Sequence, residues 1–181
     1  ELRRRAVRRR IRLDAGDRFA IPGLFDSHVH SAWSNQQANE DAFIAFGVTS
    51  VRDTGGTIDL LTALDERSDV TPLPAPRYFY AGEIFEGVMP HWGDAFLQVG
   101  NEQEARAEVR NWKAAGADFI KVYPSLPWHL QQVVADEAHR VGLPLVGHGL
   151  SPEEVTRHML LGFSSLEHSS SAAYNDVLAF A

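Results

Sequence analysis

The sequence predicts an α/β protein of parallel strands and helical crossovers, arranged as part of a (β/α)8 barrel of about six βα units. Three observations carry that expectation. First, a helical pattern ends at a glycine and an apolar strand follows at once, at Gly47, Gly116, Gly142 and Gly162. Glycine takes the left-handed conformation just past a helix without a Cβ clash, and helix, glycine and strand in repetition imply parallel strands. Second, each strand is apolar until its C-terminal end, where titratable side chains stand: His28 and His30, Asp53, Glu83, Lys121, His148 and His168. Third, the chain has no Gly-x-Gly-x-x-Gly or Walker loop of the kind doubly wound nucleotide binders carry. Barrels instead draw function from many strand ends onto one face.

In chain order, strands are expected near 18–27, 48–53, 77–83, 118–123, 144–148 and 163–168. Helices are expected near 36–46, 58–66, 102–115, 127–141, 151–161 and from about 172 to the end. Asn101 with Glu104, and Ser151 with Glu154 behind Pro152, have capping-box spacing, and proline suits a first helical position. A long loop over 84–100, with Gly87, Pro90, Trp92 and Gly93, is expected to leave the third strand.

Composition narrows the function. Without cysteine, disulfide scaffolds, Cys-ligated zinc modules and thiol nucleophiles are excluded. With 44% hydrophobic and 23% charged residues the chain is not expected to be disordered. The longest run free of Asp, Glu, Lys and Arg, Val122–Ala135, is too short to span a bilayer, so no membrane partner is expected. Residues 1–12 hold seven arginines against Glu1, while the whole chain carries −7. No aromatic residue is interleaved with this arm and the acidic remainder repels phosphate, so it reads as a solvated edge strand and no nucleic-acid partner is expected. The chain begins at Glu1 with neither Met nor an apolar leader and reads as a piece of a longer polypeptide; compartment stays open.

His28-Val29-His30 ends a strand, and strand side chains alternate, so the two imidazoles share a face about 6–7 Å apart. A lone His-x-His is weak evidence. His148 and His168, at the ends of two later strands, make it a candidate ligand set for zinc or a related divalent metal. Lys121, inside Phe119-Ile-Lys-Val-Tyr123, has apolar neighbours in a strand that should be buried. The bland reading is a snorkelling or ion-paired lysine. Burial beside metal cations would instead favour the neutral amine, which can add carbon dioxide to become an anionic carbamate ligand.

These residues lie in strings that resemble the metal-dependent amidohydrolase superfamily: Ala20-Ile-Pro-Gly-Leu-Phe-Asp-Ser-His-Val-His30, Gly47-Val-Thr-Ser-Val-Arg-Asp-Thr-Gly-Gly56, Phe119–Tyr123, Val146-Gly-His-Gly149 and Ser165-Leu-Glu-His168. The resemblance runs from about residue 8 to the end and is closest to the branch of imidazolonepropionase-like, prolidase-like and carboxypeptidase-like members. It implies two divalent metal ions, with zinc the first expectation. His28 and His30 would hold one, His148 and His168 the other, and carbamylated Lys121 would bridge them. A metal-bridging hydroxide would then hydrolyse an amide, cyclic amide or dipeptide-like C–N bond of a small-molecule substrate. The family also places an Asp at the end of strand 8, and no Asp here follows a seventh or eighth strand. Such a barrel takes about 250 residues. The resemblance therefore implies a remnant of an N-terminal β-sandwich over 1–19 and an incomplete barrel over 20–181, truncated after strand 6. Its open edges are expected to favour self-association. The alternative is a catalytically incomplete metal-binding fragment, non-enzymatic or completed in trans.

His91, on the long loop, and Tyr123, two residues after Lys121, are candidate substrate contacts. His129, His139 and His158 read as helix-surface residues. Asp53, Glu83 and Glu167 read as hydrogen-bonding groups that either support a site residue from behind or are purely structural, Glu167 facing the helix layer or rim because it alternates away from His168. Trp33, Trp92, Trp112 and Trp128 read as packing or pocket rim.

Overall fold

The computed structural model describes residues 14–33, 36–70, 75–87 and 96–168. The helix expected from about 172, the candidate His91 and the first 13 residues of the expected β-sandwich remnant lie outside them. Eight short strands are described: β1 (Leu24–Val29), β2 (Val48–Asp53), β3 (Arg77–Tyr80), β4 (Ile84–Glu86), β5 (Phe96–Gln98), β6 (Ile120–Val122), β7 (Leu145–His148) and β8 (Ser165–Glu167). Five α-helices join them: α1 (Gln36–Ala45), α2 (Ile58–Val70), α3 (Glu102–Ala115), α4 (Trp128–Val141) and α5 (Pro152–Leu160). Every strand pair is parallel, in two sheets ordered β1-β2-β3 and β5-β4-β6-β7-β8. This is the α/β, parallel architecture the sequence predicts.

Three expectations about strands are corrected. The first strand runs over Leu24–Val29 rather than 18–27, and residues 14–23 contain no strand. The third, expected over 77–83, ends at Tyr80: β3 pairs with β2, and the separate β4 that follows pairs with β6. Between them Gly82 sits at φ 86, where its missing Cβ would lie 3.2 Å from Ile58 and 3.4 Å from Trp112. Only glycine combines that backbone with so close an approach. The loop expected over 84–100 holds β4 at its start and β5 near its end.

The helix ends follow local chemistry. Asn101 accepts from the Glu104 N–H at 3.0 Å, and Ser151 from the Glu154 N–H at 3.2 Å. Both glutamates reach one residue further back than a capping box does, accepting from Gly100 N and Leu150 N. On α3 the buried Ala105, Val109 and Trp112 recur at helical spacing. They pack with Val51, Tyr80, Phe85, Ile120, Val134 and Leu145 into one core between sheet and helices. No described helix is long and apolar enough to cross a membrane. Leu24 and Phe25 of β1, an outer strand of its sheet, stand exposed, as do Phe19 and Ile21 in the segment before it.

The α3–α4 contact hides a carboxylate. Glu137 is buried and paired with Arg106, Arg110 and Arg140. The Arg140 hydrogen bond, against burial and with help from Arg106 and Arg110, holds Glu137 at about 2. A folded-state pKa below the unfolded 4.5 means its contribution is complete above pH 4.5 and is lost as pH falls towards 2. Glu137→Ala is expected to lower the urea midpoint at pH 7 and to flatten the acid limb of the stability profile. An unchanged acid limb would show that the carboxylate contributes nothing.

Candidate active site

The site gathers at the C-terminal ends of the strands. β1 carries His28, and His30 follows one residue past its end. The β2 end holds this segment: buried Asp53 accepts from Ser31 N at 2.7 Å and Gly55 N at 3.2 Å. Burial pushes Asp53 up to about 6, more than those hydrogen bonds bring it down. His30 Nδ1–H donates to the Gly55 carbonyl at 3.0 Å, so its Nε2 carries the lone pair. Trp33 stacks on the same ring, centroids 3.9 Å apart. Thr54 Oγ1 lies 3.1 Å from His28 Nε2 and 3.3 Å from His30 Nε2.

Four of the expected residues form a chain of rings. Centroids are 5.1 Å apart for His28–His30, 4.5 Å for His28–His168 and 4.8 Å for His148–His168. Tyr123 meets His148 edge-on at 4.9 Å, with Phe96 of β5 on its other side at 5.4 Å. Burial, reinforced by the charges of His28, Lys121 and His168 and opposed by the Gly55 hydrogen bond, lowers His30 to about 4. Burial with Lys121, His168 and His28 lowers His148 to about 3, and burial lowers His168 as well. His30 and His148 are therefore neutral at pH 7.

Lys121 is 1% exposed, and its Nζ has no hydrogen-bond partner among the described residues. Burial lowers it to about 7, with Glu167 opposing and Arg52 assisting. An amine there is about half neutral at physiological pH.

Glu167 and His158 are placed differently from their sequence expectations. Glu167, expected to face the helix layer or rim, accepts from His28 Nδ1–H at 2.6 Å, Arg52 Nη2 at 2.7 Å and Ser165 Oγ at 2.9 Å. Burial pushes its pKa up, but His28, Lys121, Ser165 and Arg52 outweigh that and hold it at about 2. The physical reason lies at His168, whose φ of 62 is left-handed and ends the strand alternation. Glu167 and His168 thus both reach His28. His158, expected on the surface, is buried, stacked on Phe163 at 4.3 Å and bonded to Gln131 Oε1 at 3.0 Å.

Arg52 and Thr54 join the site through Glu167 and His28, and no sequence expectation placed them there. Arg52 carried a signal akin to that of Lys121, a long cation inside a strand, here next to Asp53. Thr54 had no signal, since a hydroxyl beside a glycine pair is ordinary turn chemistry.

The neutral imidazoles of His30 and His148, the rings of His28 and His168 beside them, and a buried amine with no hydrogen-bond partner among the described residues make a donor set that fits divalent metal ions in its chemistry. Among the described residues no three His, Asp or Glu donors are gathered to hold one metal ion. The rings meet by faces and edges.

No protein-family model and no curated protein sequence matches the chain. Solved structures do. A Xaa-Pro dipeptidase with bound methionine superposes with a TM-score of 0.70 at 21% identity, over 88% of this chain and 51% of that one. A prolidase complexed with N-methylphosphonate-L-proline gives 0.67 at 20%, over 88% and 52%. The ochratoxinase of A. niger gives 0.65 at 18%, over 86% and 50%. The chain spans about half the length of these structures. Parallel strands, helical crossovers and these superpositions together show that the chain shares its fold with these structures over about half of their length.

Proposed function

We propose that this chain carries the site of a metal-dependent hydrolase of amide or dipeptide-like C–N bonds. The observation that carries the reading is Lys121, a buried amine with no hydrogen-bond partner among the described residues, on the strand next to the one that presents His148. A lysine left so is costly unless the amine is put to use. His28 and His30 would hold one divalent metal ion, and His148 and His168 a second. Lys121 would serve both as a carbamate. Its neutral Nζ bonds to the carbon of carbon dioxide and releases one N–H proton to water, leaving an anionic oxygen donor. Bound divalent ions supply Lewis-acid polarisation of a carbonyl and a lower pKa for water.

The remaining steps belong to the chain's own residues. Neutral His30 and His148 offer lone pairs at pH 7 without a proton to displace. Tyr123, held between Phe96 and His148, offers a phenol to a substrate carbonyl. The dipeptidase and prolidase names of two structural neighbours support a dipeptide-like substrate. The exposed apolar edge at β1 supports self-association, read by the gel-filtration size of the purified chain.

The test is metal content per chain by elemental mass spectrometry after reconstitution with zinc and bicarbonate, followed by a panel of X-Pro dipeptides and cyclic amides. About two metals per chain are expected, with turnover of at least one dipeptide. A chain that takes up no metal overturns the reading.

A further inference from the structure

We propose that Glu167 is a positioning residue, which holds His28 as the tautomer protonated on Nδ1 and is itself held in that pose by Arg52. The contacts close a ring that begins and ends on adjacent residues of β1. Arg52 Nε donates to the Ser27 carbonyl at 2.7 Å, Arg52 Nη2 to Glu167 Oε1 at 2.7 Å, and His28 Nδ1–H to Glu167 Oε2 at 2.6 Å. Arg52 Nη1 also reaches Ser165 Oγ at 3.1 Å, and the guanidinium lies 5.5 Å from the Phe119 ring centre. β8 shares no ladder with β1 or β2, so this ring ties the end of one sheet to the other.

The chemistry of the ring admits only a carboxylate at 167. Both neighbours are donors, an imidazole N–H on one oxygen and a guanidinium on the other, and a carboxylate accepts from both sides. An amide cannot, since its NH2 must face either Arg52 or His28. Facing His28, it drives the imidazole proton to Nε2 and removes the lone pair that now lies 3.1 Å from Thr54 Oγ1 beside His30. An outer carboxylate that fixes the tautomer of a ligating histidine typically contributes 10–100-fold in metal affinity. The consequence for metal rests on the function proposed above; the tautomer does not.

The experiment has two arms on the full chain. In the first, metal-free protein labelled with 15N-histidine is studied at about pH 8 by long-range 1H–15N correlation, with His28 assigned from a His28→Gln spectrum. Wild type is expected to show the Nδ1–H tautomer at His28, and Glu167→Gln to shift it to Nε2–H or a mixture. In the second, cobalt affinity is measured by chelator competition. Glu167→Gln is expected to bind about 10–100-fold more weakly, with Glu167→Asp and Arg52→Lys between it and wild type. An Nε2–H tautomer in wild type overturns the proposal without any variant having to fold. So does a Glu167→Gln spectrum unchanged at His28. If wild type binds no cobalt, the metal reading fails alone, and the first arm still decides the role of Glu167.

Discussion

Replacing Lys121 with methionine is expected to make the metal-free chain more stable and to strip it of metal binding. The amine is 1% exposed and unpartnered among the described residues, and burial brings it from 10.5 to about 7. At about 1.4 kcal/mol per unit, holding the charged form costs about 3–5 kcal/mol at and below pH 7. Between pH 7 and 10.5 the folded chain has released a proton that the unfolded chain still binds, so wild-type stability rises with pH through that window. Lys121→Met, close in volume, removes the cost. Its advantage in urea unfolding should be largest near pH 6.5 and shrink towards pH 10. Destabilisation at pH 6.5 would mean that Lys121 has a partner holding its charge. Under zinc and bicarbonate the same variant is expected to lose metal, and Lys121→Ala to regain part of it with acetate. Full metal occupancy in Lys121→Met would sink the carbamate.

Phe85→Ala is expected to cost about 3–5 kcal/mol, the range for deleting a fully buried aromatic ring. Phe85 is 0% exposed, meets Trp112 edge-on at 5.2 Å, and faces Val122 across the β4–β6 pairing. Its carbonyl also accepts from Tyr123 N at 2.9 Å. The cavity would therefore open beside the strand that carries Lys121, and metal uptake should weaken along with stability. Urea unfolding checks this: the midpoint should fall with the slope unchanged. Phe46→Ala, at an 81% exposed position, should stay within about 0.5 kcal/mol of wild type. A Phe85→Ala loss below 1 kcal/mol would place the core elsewhere.

The parts of this fold legible in the sequence are those with local causes. The α3 boundaries are those the sequence predicts, because Asn101 caps one end and Gly116, at φ 96, closes the other. Gly47, Gly142 and Gly162 likewise take left-handed φ at the other expected junctions. The nearness of His28, His30, His148 and His168 was legible because each stands at or just past a strand end, and the four rings lie in one chain. The break at Gly82 was not, since its cause is the approach of Ile58 and Trp112 from distant elements. Glu167 was misplaced because alternation is a rule for extended backbone, and His168 leaves it. His158 was misplaced because a polar residue on a helix looks solvated until Phe163 covers it.

The division of the strands into two sheets has a consequence for how the molecule breathes. His28 belongs to the first sheet and Thr54 directly follows it, whereas Lys121, His148 and Glu167 belong to the second. Opening between the sheets would separate these groups without unfolding either sheet. A small molecule that touches both halves then acts as a clamp, stabilising by RT ln(1 + [L]/Kd) the state in which the sheets are docked. Amide hydrogen exchange would register it as slowing at the ends of β1 and β8 together, two strands that share no hydrogen-bond ladder.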